Sequence, residues 1–343
     1  MEGRLTKVKL RADEDSQIGS GHVMRCYALA CKFRDAGWDI TFYSKNIGAK
    51  TSERLKNRGL RLVIISLEAE FLNSIERSSI VVIDSYAYGD KEWSDLKNCN
   101  PKVTICIDDV RDVKYWADII ICPNEGIEYS RIQKRVNSSL FLGAKYSLIR
   151  PEIYEAKRKN VLDDERKGIV IANGGCKNIE WIRNTIGAIK DIGWKNSYIT
   201  VISGHVKAAT QLTVPNSCQT TERIRVEIGL SESAMSSIYS RSEVVIVPCS
   251  TMMLEAFILG CPVITGWVFE NHRISLNYYS ISGMCLSAGY LTNASKKRLS
   301  KSIDWIQDNR CEILTRQEIF TQNMHAGLDE IVKEIKCRLM TFV

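Results

Sequence analysis

Short apolar runs rich in β-branched residues alternate along this chain with stretches of helical periodicity. In the first half the β-type runs are Lys7 to Ala12, Asp39 to Tyr43, Arg61 to Ile65, Ile80 to Asp84, Val103 to Ile107 and Asp118 to Cys122. A second series follows at Gly168 to Ala172, Tyr198 to Ile202, Glu243 to Val247 and Pro262 to Thr265. Strands that alternate with helices predict parallel sheets joined by right-handed crossovers. The polar segment PEIYEAKRKNVLDDER at 151–166 interrupts the series and reads as a short helix plus a linker. The pattern thus predicts an α/β protein with two facing domains of similar size. The first spans 1–150 and the second 167–343, which closes with a helical stretch from Glu312 to Met340. A tail of that kind often packs back across a hinge.

The stretch Val8 to Ala30, VKLRADEDSQIGSGHVMRCYALA, organises the first series. It reads as strand, polar turn and helix, with His22 between the glycines of the turn and the helix. Gly19 and Gly21 allow a ligand close to the backbone, and the first helix amides favour an anion such as phosphate. The same positive helix end disfavours an imidazolium, so His22 is expected as a neutral base. Glycine turns between strand and helix also occur without any ligand, in which case His22 is simply a helix-start residue.

Composition narrows the class. The chain has 343 residues, 45% hydrophobic and 25% charged, which is ordinary for a globular protein long enough for two domains. Its net charge of +7 is spread among interleaved acids and bases. No basic stripe of the nucleic-acid kind is visible, and the surplus suits an anionic small molecule. The 12 cysteines include no Cys-x-x-Cys pair, and several fall in apolar runs, as expected of small core residues in a reducing compartment. The N-terminal MEGRLTKVKL lacks the apolar run of a signal peptide, and no stretch is long and apolar enough for a membrane span. A cytoplasmic monomer without nucleic-acid or membrane partners, cofactor or metal is expected.

Ligands of open parallel sheets gather at the carboxyl ends of the strands. Candidates there in the first half are Asp13, His22, Arg25, Asp84, Tyr86, Asp108 and Asp109. Arg25, one turn after His22, suits a phosphate or a local carboxylate such as Asp13. Asp84, Asp108 and Asp109 each read equally as loop-capping carboxylates, and Tyr86 as a packing residue. In the second half, IVIANGGCKN at 169–178 places Asn173, Gly174 and Gly175 in a second strand-to-helix turn. VVIVPCSTMMLEAF at 244–257 offers Ser250 or Thr251 as a helix cap. Glu255, one turn further, could accept two ribose hydroxyls, or could be a first-turn acid favoured by the helix dipole. Asn271 and His272 open the next helix.

RADEDSQIGSGHVMRC at the first turn, VVIDSY at 81–86, CIDDVRD at 106–112, ADIIICPN at 117–124 and LGAKYSLIRPE at 142–152 resemble the PseG/SpsG family. Its best-known members are UDP-2,4-diacetamido-2,4,6-trideoxy-β-L-altropyranose hydrolases of pseudaminic acid biosynthesis. The resemblance implies a GT-B-type architecture, two Rossmann-like domains with a cleft between them, and a UDP-sugar substrate. It places the catalytic histidine at His22 and an active-site tyrosine at Tyr86. It further implies a Gly-Gly turn at Gly174 and Gly175 and a ribose-binding role for Glu255. The diphosphate would be held near Gly19, Gly21 and the second turn with help from Ser250 and Thr251. The chain departs from the family at Pro248 and Cys249, where a glycine pair is common, and at His272, where glutamine follows asparagine.

Overall fold

The computed structural model describes residues 6–15, 19–109, 115–128, 132, 137–157, 166–174, 179–192, 198–204, 224–270 and 272–340. The chain divides into two compact units, one of Met1–Arg150 with Asn323–Val343 and one of Pro151–Gln322.

The first unit holds a parallel sheet of seven strands: β1 (Lys7–Ala12), β2 (Asp39–Ser44), β3 (Arg61–Ile64), β4 (Ile80–Asp84), β5 (Val103–Ile107), β6 (Ile119–Cys122) and β7 (Ser139–Leu142). They lie in the order β3-β2-β1-β4-β5-β6-β7. Helices α1 (Gly21–Asp35), α2 (Ala49–Asn57), α3 (Glu68–Ser74) and α4 (Asp90–Cys99) are the crossovers. The second unit repeats the plan in six strands, β8 (Ile169–Gly174), β9 (Ile199–Ser203), β10 (Ile224–Ile228), β11 (Val244–Pro248), β12 (Val263–Trp267) and β13 (Leu286–Tyr290). Their order is β10-β9-β8-β11-β12-β13. Its helices are α5 (Pro151–Lys157), α6 (Glu180–Ile192), α7 (Glu232–Ser240), α8 (Thr251–Ile258), α9 (His272–Ile281) and α10 (Lys296–Thr321), and α11 (Met324–Met340) ends the described chain.

All six expected first-half strands form, and all four of the second series. Three were not foreseen: β7, β10 and β13. Each lies at an edge of its sheet. Edge strands are half-buried, so they lack the continuous apolar run that marks a central parallel strand such as IVVID of β4. Arg225 and Glu227 in β10 illustrate the difference.

Two boundaries differ from the expectation. Within the segment read as short helix plus linker, Pro151–Lys157 is α5, which belongs to the second unit and packs on α7 and α8. The C-terminal helical stretch is split, and α11 belongs to the first unit. The cause is apolar burial: Leu328, Ile331, Val332 and Ile335 join the cluster built by Val8, Leu10 and the inner face of α1. Among the described residues no helix is long and apolar enough to cross a membrane, and ten described cysteines are free thiols.

Candidate functional site

In both sheets the direction of the crossovers reverses between two neighbouring strands, β1 and β4 in the first and β8 and β11 in the second. Loops diverge at such a switch point and leave a crevice at the carboxyl ends. In the first unit that position is filled by titratable side chains. Gly19, at φ +71°, donates its amide to the Asp15 carbonyl and delivers the chain to Ser20, the residue before α1. Among the described residues nothing lies within 4 Å of where a Cβ on Gly21 would stand, at the first turn of α1.

His22 follows on that turn and is buried. Its Nδ1 lies 2.5 Å from Oδ1 of Asp84, the last residue of β4. An ionised carboxylate only accepts hydrogen bonds, so the imidazole proton resides on Nδ1 and the lone pair on Nε2. Tyr86 stands edge-on to the ring, centroids 4.5 Å apart and planes at 90°.

Arg25, one turn along α1, binds the network together. Its Nε and Nη2 hold the two oxygens of Asp84 at 3.0 and 2.8 Å, and Nη1 reaches Asp109 at 2.7 Å. Tyr86 donates its hydroxyl to the other Asp109 oxygen, and Asn124 Nδ2 approaches Asp109 Oδ1 at 3.3 Å. Burial opposes ionisation of Asp109, but the Arg25 charge and the Tyr86 hydroxyl outweigh it and bring the carboxyl down to about 2. Burial, reinforced by the Asp109 charge, raises the Tyr86 phenol far above its ordinary value. Tyr86 is therefore a permanent donor rather than a proton carrier. Burial disfavours the Arg25 charge as well, yet Asp109 and Asp84 more than restore it. Its guanidinium is engaged by these two carboxylates and not by Asp13 or an open anion site, as the sequence had suggested.

Asp13 belongs to a separate cluster. It accepts from the Lys45 amide at 2.7 Å and Ser44 Oγ at 3.2 Å, and it pairs with Arg11 Nη1 at 2.6 Å. Arg11 is 1% exposed and forks onto Glu68 through Nε and Nη2 at 2.9 and 3.0 Å. Tyr88 donates to the same Glu68. Burial raises the Asp13 pKa, but the Arg11 hydrogen bond and charge, with the Lys45 amide, set it below the usual carboxylate range. These bonds tie the loop after β1 to the loop after β2.

Among the described residues the switch point of the second unit is built from small and amide side chains. Asn173 is buried with its Oδ1 accepting from Trp181 Nε1 at 2.9 Å, so its side chain anchors α6. Gly174, at φ +56°, leaves no room for a Cβ, which would meet Met252 Sδ at 2.9 Å. The β8 turn and the start of α8 are thereby brought together. Ser250 is the residue before α8 and makes no capping hydrogen bond through its side chain. The Cys249 amide is spent on the Gly266 carbonyl, so the donors of this turn begin at Ser250. Glu255 is 2% exposed, and its charge bears on the buried phenol of Tyr154 in α5. Its carboxylate is not presented to solvent. Gly175 and Asn271 lie outside the described residues.

Solved structures share this architecture. The chain is similar over 98% of its length to a glycosyltransferase from Rickettsia africae, with 99% of that chain covered, 12% identity and a TM-score of 0.62. It is similar to S. aureus MnaA in a co-structure with UDP at TM-score 0.62 and 12% identity, with 98% and 97% coverage. Acinetobacter baumannii MurG aligns at TM-score 0.59 and 10% identity, covering 96% of this chain and 99% of that one. The fold is of the GT-B type. No family model matches the chain, and no curated protein matches it significantly.

Of the first-half candidates the structure brings together His22, Arg25, Asp84, Tyr86 and Asp109, and it adds Asn124. An aspartate at the end of an apolar run, as in VVID and VTICIDD, is the signal that marks Asp84 and Asp109. Nothing in ICPN marks Asn124, because its meaning comes only from the adjacency of β5 and β6.

Proposed function

We propose that this protein hydrolyses a UDP-linked 2,4-diacetamido-2,4,6-trideoxy sugar to UDP and the free sugar by attack of water at the anomeric carbon. The observation that carries this reading is the His22–Asp84 pair at the switch point, which leaves Nε2 as a hydrogen-bond acceptor beside the first turn of α1. Water held on Nε2 gives up a proton to it as the water oxygen bonds to the anomeric carbon. The bond from that carbon to the phosphate oxygen breaks, and its electron pair leaves with UDP. A single displacement inverts configuration. Asp84 keeps the imidazole in the required tautomer and stabilises the imidazolium that forms, a geometry-and-charge role familiar from histidine–aspartate pairs. Tyr86 and Arg25 position this pair. Helix amino ends favour a phosphate and the negative charge that develops on the leaving group, and the amides opening α8, with Ser250 and Thr251, form such an end in the second unit.

The resemblance of the first-half motifs to PseG/SpsG hydrolases supplies the sugar. MnaA crystallised with UDP adds support for the nucleotide from a related fold. The test is an NMR time course with UDP-2,4-diacetamido-2,4,6-trideoxy-β-L-altropyranose. Equal amounts of UDP and free sugar, first seen as the inverted anomer, are expected from the wild type. The rate should fall by about 10² to 10⁴ in His22→Ala. UDP release that requires an added acceptor, with a glycoside as product, would make the protein a transferase. Failure of any nucleotide sugar to turn over would overturn the enzymatic reading.

A further inference from the structure

The second sheet carries at its carboxyl end a feature that catalysis by His22 does not use. Strand β13 runs in register with β12 as far as Thr265 opposite Ser287, then slips, so that Trp267 stands opposite Tyr290. Gly289 at φ +74° absorbs the slip. Gly266 is equally constrained: a Cβ there would fall 2.5 Å from the Gly289 carbonyl oxygen and 2.7 Å from Leu291 Cγ. Bulges of this kind re-aim side chains, and here the result is a stacked pair, centroids 4.3 Å apart and rings inclined by 29°. Tyr290 is nevertheless 37% exposed, and Phe269, two residues past the end of β12, is 50% exposed. Large aromatic rings held rigidly at the ligand end of a parallel sheet, with an outer surface left open, form a platform.

Its place in the sheet identifies the occupant. Pro248 at the end of β11 pairs with Gly266, and the Cys249 amide donates to the Gly266 carbonyl. Neighbouring strands lie about 4.8 Å apart, so the platform starts roughly 5 Å from the turn that opens α8 and extends to about 10 Å. In a nucleoside diphosphate sugar both the pyranose and the nucleoside lie within that range of a phosphate bound at the turn, and of the two only the pyranose of the proposed substrate carries methyl groups. We infer that the Trp267–Tyr290 stack receives the apolar C–H face and acyl methyl groups of the substrate's sugar, and so selects a deoxy, N-acylated ring over a fully hydroxylated one. The inference rests on the function proposed above. A 6-deoxy carbon and acetamido methyls gain from an aromatic surface, whereas a hydroxyl at the same place loses water without recovering a hydrogen bond.

Calorimetric titration separates the two claims. UDP and UDP-2,4-diacetamido-2,4,6-trideoxy-β-L-altropyranose are titrated into His22→Ala, in which turnover is slow, and into the same variant carrying Trp267→Leu or Tyr290→Leu. Affinity for the sugar nucleotide should fall about ten-fold in each double variant while affinity for UDP stays within about two-fold. In His22→Ala, saturation transferred from aromatic protons should reach the acetamido and 6-deoxy methyls before the ribose, a readout that needs no change in the platform. Equal loss for both ligands, or no loss for either, overturns the platform and leaves the hydrolase reading intact. A wild type that does not bind UDP overturns both.

Discussion

The two units share one strand order, yet their switch points are furnished in opposite ways. In the first, the ends of β1, β4 and β5 lead to His22, Asp84 and Asp109 around a buried arginine. In the second, the equivalent ends carry a glycine at positive φ, an uncommitted serine hydroxyl and a pair of stacked rings. Similar topology provides the crevice, and side-chain chemistry differs: under the proposed function the first unit moves the proton and the second holds the ligand. The contrast is also energetic. Charge buried in the first unit is stable only while every partner is present, whereas the second depends on close packing.

Arg25→Met should break the first unit most severely. It leaves Asp84 and Asp109 buried without their cation, at a cost of about 3–5 kcal/mol, seen as an early unfolding transition in denaturant. Acid should act on the same groups. Asp109 titrates at about 2, below the ordinary 3.8, so its contribution is fully present above pH ~4 and is lost as pH falls towards 2. That loss is roughly 2 kcal/mol and should destabilise the first unit selectively in a hydrogen-exchange comparison of pH 5 with pH 2.5. Gly266→Ala tests the packing side of the contrast. Overpacking against Gly289 and Leu291 should cost about 1–3 kcal/mol and weaken sugar-nucleotide binding, with little change in acid sensitivity. Trp181→Phe removes the partner of Asn173 Oδ1, and a loss of about 1–3 kcal/mol is expected in thermal denaturation, without the pH dependence. The smallest stability effect is expected from Glu255→Gln, a near-isosteric change; a fall in UDP affinity would reveal a carboxylate that reaches the ribose, and unchanged affinity would assign it to packing beside Tyr154.

Central strands were legible in the sequence because burial on both faces forces continuous apolar runs, as in IVVID and VTICI. Three of the four edge strands, β7, β10 and β13, were not, since one half of each meets solvent. His22 was legible from the glycine turn, and Asp84 from its place at the end of an apolar strand. What could not be read was the pairing of Arg25: helical spacing brings it near His22, but only the order β1-β4-β5 places two carboxylates within reach of one guanidinium. For the same reason Arg11 gave no hint of its fork onto Glu68, which lies 57 residues away. The Trp267–Tyr290 stack was hidden by a register slip, which leaves no mark in hydropathy.

The assignment of α11 to the first unit has a consequence for how the protein is made. Leu328, Ile331, Val332 and Ile335 complete a core whose other buried members are laid down before Arg150. A ribosome moving at about 5–20 residues per second needs roughly 10–35 seconds to traverse Pro151–Gln322. During that interval the nascent first unit displays an unfilled apolar seam beside α1, while the second unit is free to fold as it emerges. The half that carries the histidine is thus begun first and finished last.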